Sequence, residues 1–146
     1  MKTGHVGLNV PDVARALPFY TGVFGWDVLS ESDDSTKRFA FLGDDDEVVV
    51  TLWQQSEGGF VPDRAGLHHL AFEVGSIDEV EAAEARVRAL GGTVHHGGIV
   101  PHSETAGSGG ILFTDPDGIR LEIYAGDGAR AHGAAPAGAA PTCGFF

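Results

Sequence analysis

Cysteine is almost missing from this chain. Cys143 stands alone, which excludes an internal disulfide and a cysteine-based zinc site. Basic residues are scarce as well: nine Lys and Arg face 21 Asp and Glu, a net charge of −12, and no basic stripe offsets it. Such a chain repels phosphate backbones, so neither nucleic acid nor an anionic membrane is an expected partner. No stretch approaches the ~18 consecutive apolar residues of a membrane span. The opening MKTGHVGLNVPD lacks the apolar core of a signal peptide, and a cytoplasmic location is the expectation. What is present is 42% apolar residues over 146 positions, enough to bury a core and to exclude wholesale disorder. That length suits one domain or two small fused units.

Order is expected up to about Gly126. The segment 127–146 is rich in Gly, Ala and Pro and aperiodic, so it is expected to bury little and to stay mobile. Phe145 and Phe146 are its exception, two aromatics able to dock on the body or on a partner. The ordered part repeats itself. His5-Val-Gly-Leu-Asn-Val10 returns as His69-Leu-Ala-Phe-Glu-Val74, and the segment Asp44–Trp53 returns as Asp115–Tyr124. Two copies of one unit follow, module one over 3–55 and module two over 67–126. Each reads as strand, helix, then three strands.

The elements have local causes. Pro11 suits a first helical turn, and Val13, Leu17, Tyr20 and Phe24 recur at helical spacing, with Pro18 expected to bend the helix. In the second copy Ser76-Ile-Asp-Glu79 has the capping-box pattern, Val80, Ala83, Val87 and Leu90 make the stripe, and Gly91-Gly92 supply the stop. Strands are expected over Trp26–Glu31, Arg38–Gly43, Glu47–Gln54, Thr93–His96, Gly110–Thr114 and Ile119–Ala125.

Strand parity then selects a site. Neighbours point to opposite faces, so Val6, Leu8 and Val10 oppose His5, Gly7 and Asn9. Leu70, Phe72 and Val74 oppose His69, Ala71 and Glu73, and Leu121 and Ile123 oppose Arg120, Glu122 and Tyr124. The helices cover the apolar faces, which leaves His5, His69 and Glu122 on the others. The two histidines occupy equivalent places in the two copies, and a pseudo-twofold axis would bring them together. Two imidazoles and a carboxylate are the ligand set of a facial triad on a divalent metal with open positions.

The segments HVGLNVPDVARALPFYTGVFGW, HHLAFEV, RVRALGG and DPDGIRLEIY resemble the vicinal oxygen chelate superfamily: glyoxalase I, extradiol dioxygenases, methylmalonyl-CoA epimerase, and fosfomycin- and bleomycin-resistance proteins. The resemblance spans residues 3 to 126. It implies an α+β, glyoxalase-like fold in which two βαβββ modules form a curved sheet cleft, within a domain over 1–126 followed by the tail. It implies His5, His69 and Glu122 as metal ligands. It leaves open whether modules pair within one chain or between chains of a homodimer. At the fourth family position the repeat aligns Glu122 with Thr51, a poor ligand. That argues against the four-ligand isomerases and resembles the three-ligand arrangement of dioxygenases and fosfomycin-modifying enzymes. The latter need cations to hold a phosphonate, and here Arg120 stands nearly alone.

Fe(II), Mn(II), Zn(II) and Ni(II) all suit this donor set, and each supplies Lewis-acid chemistry toward a small molecule with two adjacent oxygens. Iron would add dioxygen chemistry. The rival readings are a lyase or isomerase of the same superfamily and a non-catalytic drug or metabolite binder. Tyr124 and His102 are the candidate acid–base groups, His102 in a Gly-rich loop between Gly97 and Gly110 expected to act as a lid. Thr51, Trp53 and Val49 are expected to form a partly aromatic wall for the substrate, with Asn9 and Arg120 at its edges. His68, on Leu70's parity, is expected to be structural, and His95 and His96 exposed. Asp44-Asp45-Asp46-Glu47 lacks calcium-loop spacing and reads as a solvated turn.

Overall fold

A computed structural model describes residues 1–138 and 140–146, with the side chain of Phe145 outside the description. The chain divides into two compact units, Met1–Val61 and Pro62–Phe146. The first contains strand β1 (Val6–Val10), helix α1 (Val13–Phe24), β2 (Asp27–Ser32), β3 (Phe39–Asp44) and β4 (Glu47–Gln54). The second contains β5 (Leu70–Val74), α2 (Ile77–Ala89), β6 (Thr93–Val94), β7 (Val100–Pro101), β8 (Gly109–Thr114) and β9 (Arg120–Ala125). Short 3-10 turns follow at Ala129–Ala131 and Thr142–Phe145. The architecture is the expected α+β one, two mixed sheets each with one helix. Among the described residues no helix is long and apolar enough to cross a membrane.

The two sheets have one topology. Their orders are β1-β4-β3-β2 and β5-β9-β8-β6, with β7 also paired to β8. In each, the first strand lies at the edge and pairs in parallel with the last. Gly7 stands opposite Thr51 in the first, and Ala71 opposite Glu122 in the second. The repeat inferred from sequence is therefore a repeat of register, and Thr51 and Glu122 are structural equivalents.

Helix ends follow their local chemistry. Asp12, not Pro11, caps α1: its carboxylate accepts from Arg15 N at 3.2 Å, so Pro11 lies outside the first turn. Gly25 closes the helix at φ 74°, its N–H donating to Thr21 O at 2.9 Å. Ser76 caps α2 as expected, its hydroxyl accepting from Glu79 N at 3.3 Å and meeting Glu79 Oε1 at 3.2 Å. Val80, Ala83 and Val87 are buried, but Leu90 is exposed, because the helix has already ended at Ala89.

Parity holds inside the strands. In unit one, Leu8 and Val10 join Phe19, Tyr20, Val23, Leu42, Val50 and Leu52 in a core between sheet and helix. In unit two, Ile111, Phe113, Leu121 and Ile123 do so with Val80 and Val87. The acidic run is an exposed two-residue hairpin turn, with Asp45 at φ 47° and Asp46 at φ 64°.

Three expectations are corrected. The strand from Thr93 ends at Val94, because His96 takes φ 54° and Gly97 φ 81°, and the edge of the sheet resumes as β7. The Gly-rich loop is consequently pinned rather than a free lid: Val100 pairs with Gly110, Pro101 with Gly109, and His102 N donates to Ser108 O at 3.0 Å. The segment after Gly126 buries more than its composition suggested. Ala129 and Thr142 are buried, with Thr142 N donating to His102 O at 2.9 Å and its hydroxyl to Pro101 O. Docking of Phe145 lies outside the described residues.

Candidate metal centre

Glu122 is the focus of unit two. β9 carries it on the face away from α2, yet its side chain is only 6% exposed. The Asp115-Pro-Asp-Gly118 turn sets that register: Asp115 accepts from Asp117 N at 2.9 Å and Ile119 N at 2.8 Å, which starts β9 on time. Parallel pairing of β5 with β9 then places His69, just before β5, beside the carboxylate. His69 Nε2 lies 3.3 Å from Glu122 Oε2.

The second carboxylate oxygen is also engaged. His102 Nε2 lies 2.7 Å from Glu122 Oε1, while its Nδ1 lies 3.0 Å from Ser108 Oγ. A chain of polar contacts runs Ser108–His102–Glu122–His69. Glu122 is thus held on both oxygens, and a buried carboxylate costs least when so satisfied. Burial pushes the His69 imidazole below its ordinary value, with His68 and Arg120 adding to the push and Glu122 opposing it. A neutral ring at neutral pH is the form that ligates a metal.

The pair fits a divalent ion. Adjacent ligand atoms at right angles on an ion with bonds of ~2.1 Å stand roughly 3 Å apart, close to the 3.3 Å between Nε2 and Oε2. His5, in unit one, is exposed immediately before β1, the place His69 holds before β5. Among the described residues no three His, Cys, Asp or Glu side chains are gathered as a ready-made metal group.

Thr51, the equivalent of Glu122, is buried and accepts from Trp53 Nε1 at 3.0 Å, so its oxygen already has a structural task. Trp53 and Val49 are half-buried on its face. Two residues missed in the sequence join Trp53 there: Phe39 and Phe41, with ring centroids 5.4 and 5.7 Å from the indole. The parity of β3 held that signal. Gly7 lies beside this pair, and a Cβ there would make ordinary contacts, 3.4 Å to Thr51 Oγ1 and 3.9 Å to the Trp53 ring. Asn9 accepts from Gln55 N at 2.9 Å and so ties the end of β4.

In unit two, Tyr124 donates to Glu73 Oε2 at 3.3 Å, and its ring stands 5.1 Å from that of His102. Burial and the Glu73 and Glu122 charges raise its phenol above the ordinary value, so it remains a donor. Arg120 donates to Phe146 O at 3.2 Å. His68 lies before β5, which begins at Leu70. Its Nδ1 lies 2.8 Å from Nδ1 of His69. His96 is exposed as expected, but His95 is half-buried.

Residues 2–123 match the model of the Glyoxalase/Bleomycin resistance protein/Dioxygenase superfamily. The chain belongs to this superfamily. Within it, the chain is 30% identical over 124 residues to the catechol-2,3-dioxygenase of Bacillus subtilis (strain 168), covering 84% of this chain but 40% of that protein's length. It is 32% identical over 130 residues to the lactoylglutathione lyase of Neisseria meningitidis, covering 84% of this chain and 89% of that one. The crystal structure of a glyoxylase/bleomycin resistance protein/dioxygenase domain from Frankia sp. EAN1pec superposes with TM-score 0.73 at 25% identity, over 90% of this chain and 98% of that one. The fosfomycin resistance protein FosX of Listeria monocytogenes, complexed with Mn(II) and sulfate, has the same fold, with TM-score 0.63 at 22% identity over 89% and 97%.

Proposed function

We propose that this superfamily member is a divalent-metal-dependent enzyme acting on a small molecule with two adjacent oxygens, with His5, His69 and Glu122 as its metal ligands. The observation that carries the reading is the His69–Glu122 pair at 3.3 Å, His69 just before β5 and Glu122 on the parallel neighbour β9. When bound, the ion supplies Lewis-acid chemistry and leaves positions open to substrate. His102 holds the second oxygen of Glu122, and Tyr124, whose hydroxyl donates to Glu73, would exchange that acceptor for a substrate oxygen.

A dioxygenase-like reaction is favoured within the class. Thr51 stands where Glu122's equivalent would supply a fourth ligand, and its hydroxyl is taken by Trp53. The similarity to a catechol-2,3-dioxygenase agrees, and that to lactoylglutathione lyases keeps the isomerase reading as the runner-up. The aromatic wall of Phe39, Phe41 and Trp53 suits a ring-bearing ligand and favours the non-catalytic binder as the third reading.

The test is anaerobic loading with Fe(II) followed by oxygen uptake over a panel of catechols, beside a hemithioacetal isomerisation assay. Oxygen consumption that needs both Fe(II) and a catechol, and is lost in Glu122→Ala, is the expected result. Isomerisation without oxygen uptake would replace the dioxygenase reading. Neither activity, with tight binding of aromatic compounds by metal-free protein, would replace the enzyme by a binder.

A further inference from the structure

The strap Thr142–Phe146 ends on the candidate centre. Thr142 anchors it to Pro101 and His102. Beyond that anchor the ring of Phe146 is half-buried among four side chains. Its centroid lies 5.8 Å from the ring of His69, 5.5 Å from His95 and 6.5 Å from His68, the last two edge-on. The Arg120 guanidinium carbon stands 5.3 Å from the same centroid. Arg120 Nη2 also donates to the Phe146 main-chain oxygen at 3.2 Å.

Polar ring edges and a guanidinium around one aromatic ring form an environment selective for a π system over an aliphatic group of equal size. The four side chains against the ring in this corner carry no negative charge, and the Glu122 carboxylate stands behind His69, 3.3 Å from its Nε2. Nε2 of His95 is buried with no hydrogen-bond partner among the described residues, a free polar atom in the same corner. What Phe146 presents is a phenyl ring with a carbonyl oxygen reached through two further carbons.

We propose that His68, His69, His95 and Arg120 form a subsite for an aryl ring bearing a carbonyl or carboxylate oxygen, and that Phe146 fills this subsite as a built-in plug. The proposal deepens the function proposed above and rests on it only in taking His69 as a metal ligand. A tethered ring competes at the effective concentration its strap provides, so an external aryl compound binds more weakly while Phe146 is in place. An aromatic substrate must displace the ring to reach His69.

The test is a 19F NMR titration of 3-(4-fluorophenyl)propanoate into the metal-free full chain. Phe146→Ala and Phe146→Leu are expected to bind it about threefold or more tightly than wild type. The cyclohexyl analogue should displace it poorly, and Arg120→Gln in the Phe146→Ala background should abolish the gain. If neither Phe146 variant binds more tightly, or if the cyclohexyl acid displaces the probe as well as the aryl acid, the subsite is overturned. No metal enters this titration, so a failure of Mn(II) to bind in a separate experiment would count against the proposed enzyme and leave the aryl subsite standing.

Discussion

Glu122 and the two imidazoles on its oxygens make claims that single substitutions can check. In the proposed site His102 would act on a bound ion through Glu122, whose carboxylate it contacts at 2.7 Å. Loss of such a supporting contact typically weakens metal affinity about 10–100-fold. Titration calorimetry with Mn(II) should therefore show a loss of that size for His102→Ala, a smaller one for His102→Gln, which keeps a donor, and a larger one for Glu122→Ala. Equal affinities in wild type and His102→Ala would remove His102 from the site. His95 makes a separate prediction. Burial holds it below its ordinary value, with His96 and Arg120 adding to the effect. A histidine depressed in the folded state binds its proton more readily when unfolded. Its share of stability is full above the unfolded value and lost as pH falls from there toward the folded one. Melting curves between about pH 7 and pH 5 should decline less steeply in His95→Asn than in wild type. Parallel curves would contradict the assignment.

Elements hold these residues in place, and two of them can be loosened selectively. Ser76 satisfies the first turn of α2, and Ser76→Ala should cost about 1 kcal/mol, read as a shift in the urea midpoint without a change in slope. β8 passes so close to β9 that a Cβ at Gly110 would overlap Ile123 O and Tyr124 Cα. Gly110→Ala should cost about 1–3 kcal/mol or more, and should also weaken Mn(II) binding, because β9 carries Glu122. Unchanged stability would mean that the strands separate freely. Both helices and the long strands were legible in the sequence, since capping residues and alternation are local. Glu47–Gln54 agrees end to end. The split edge strand was not legible, because the positive φ at His96 is imposed by the path of the chain rather than by residue type. Pinning of the Gly-rich loop was hidden for a related reason: it depends on pairing with β8, which no local pattern encodes.

Across the whole molecule, the repeat in the sequence is the repeat of register in the two sheets, with Gly7 opposite Thr51 and Ala71 opposite Glu122. That correspondence was readable because alternation fixes faces and the matching segments recur in the same order. It puts His69 and Glu122 on one face, and in the structure they lie 3.3 Å apart. It missed the contact of His102 with Glu122 as a supporting one, and missed Phe146 against His69, since both come from Gly-rich segments without period. His5 and His69 hold equivalent places just before β1 and β5, and we propose both, with Glu122, as metal ligands. The direct measurement is metal content by mass spectrometry on untagged protein after loading with Mn(II) or, anaerobically, Fe(II). One ion per chain in wild type, with loss of that ion in each of His5→Ala, His69→Ala and Glu122→Ala, is the predicted result. No bound ion in wild type, or full retention in His5→Ala, would contradict it.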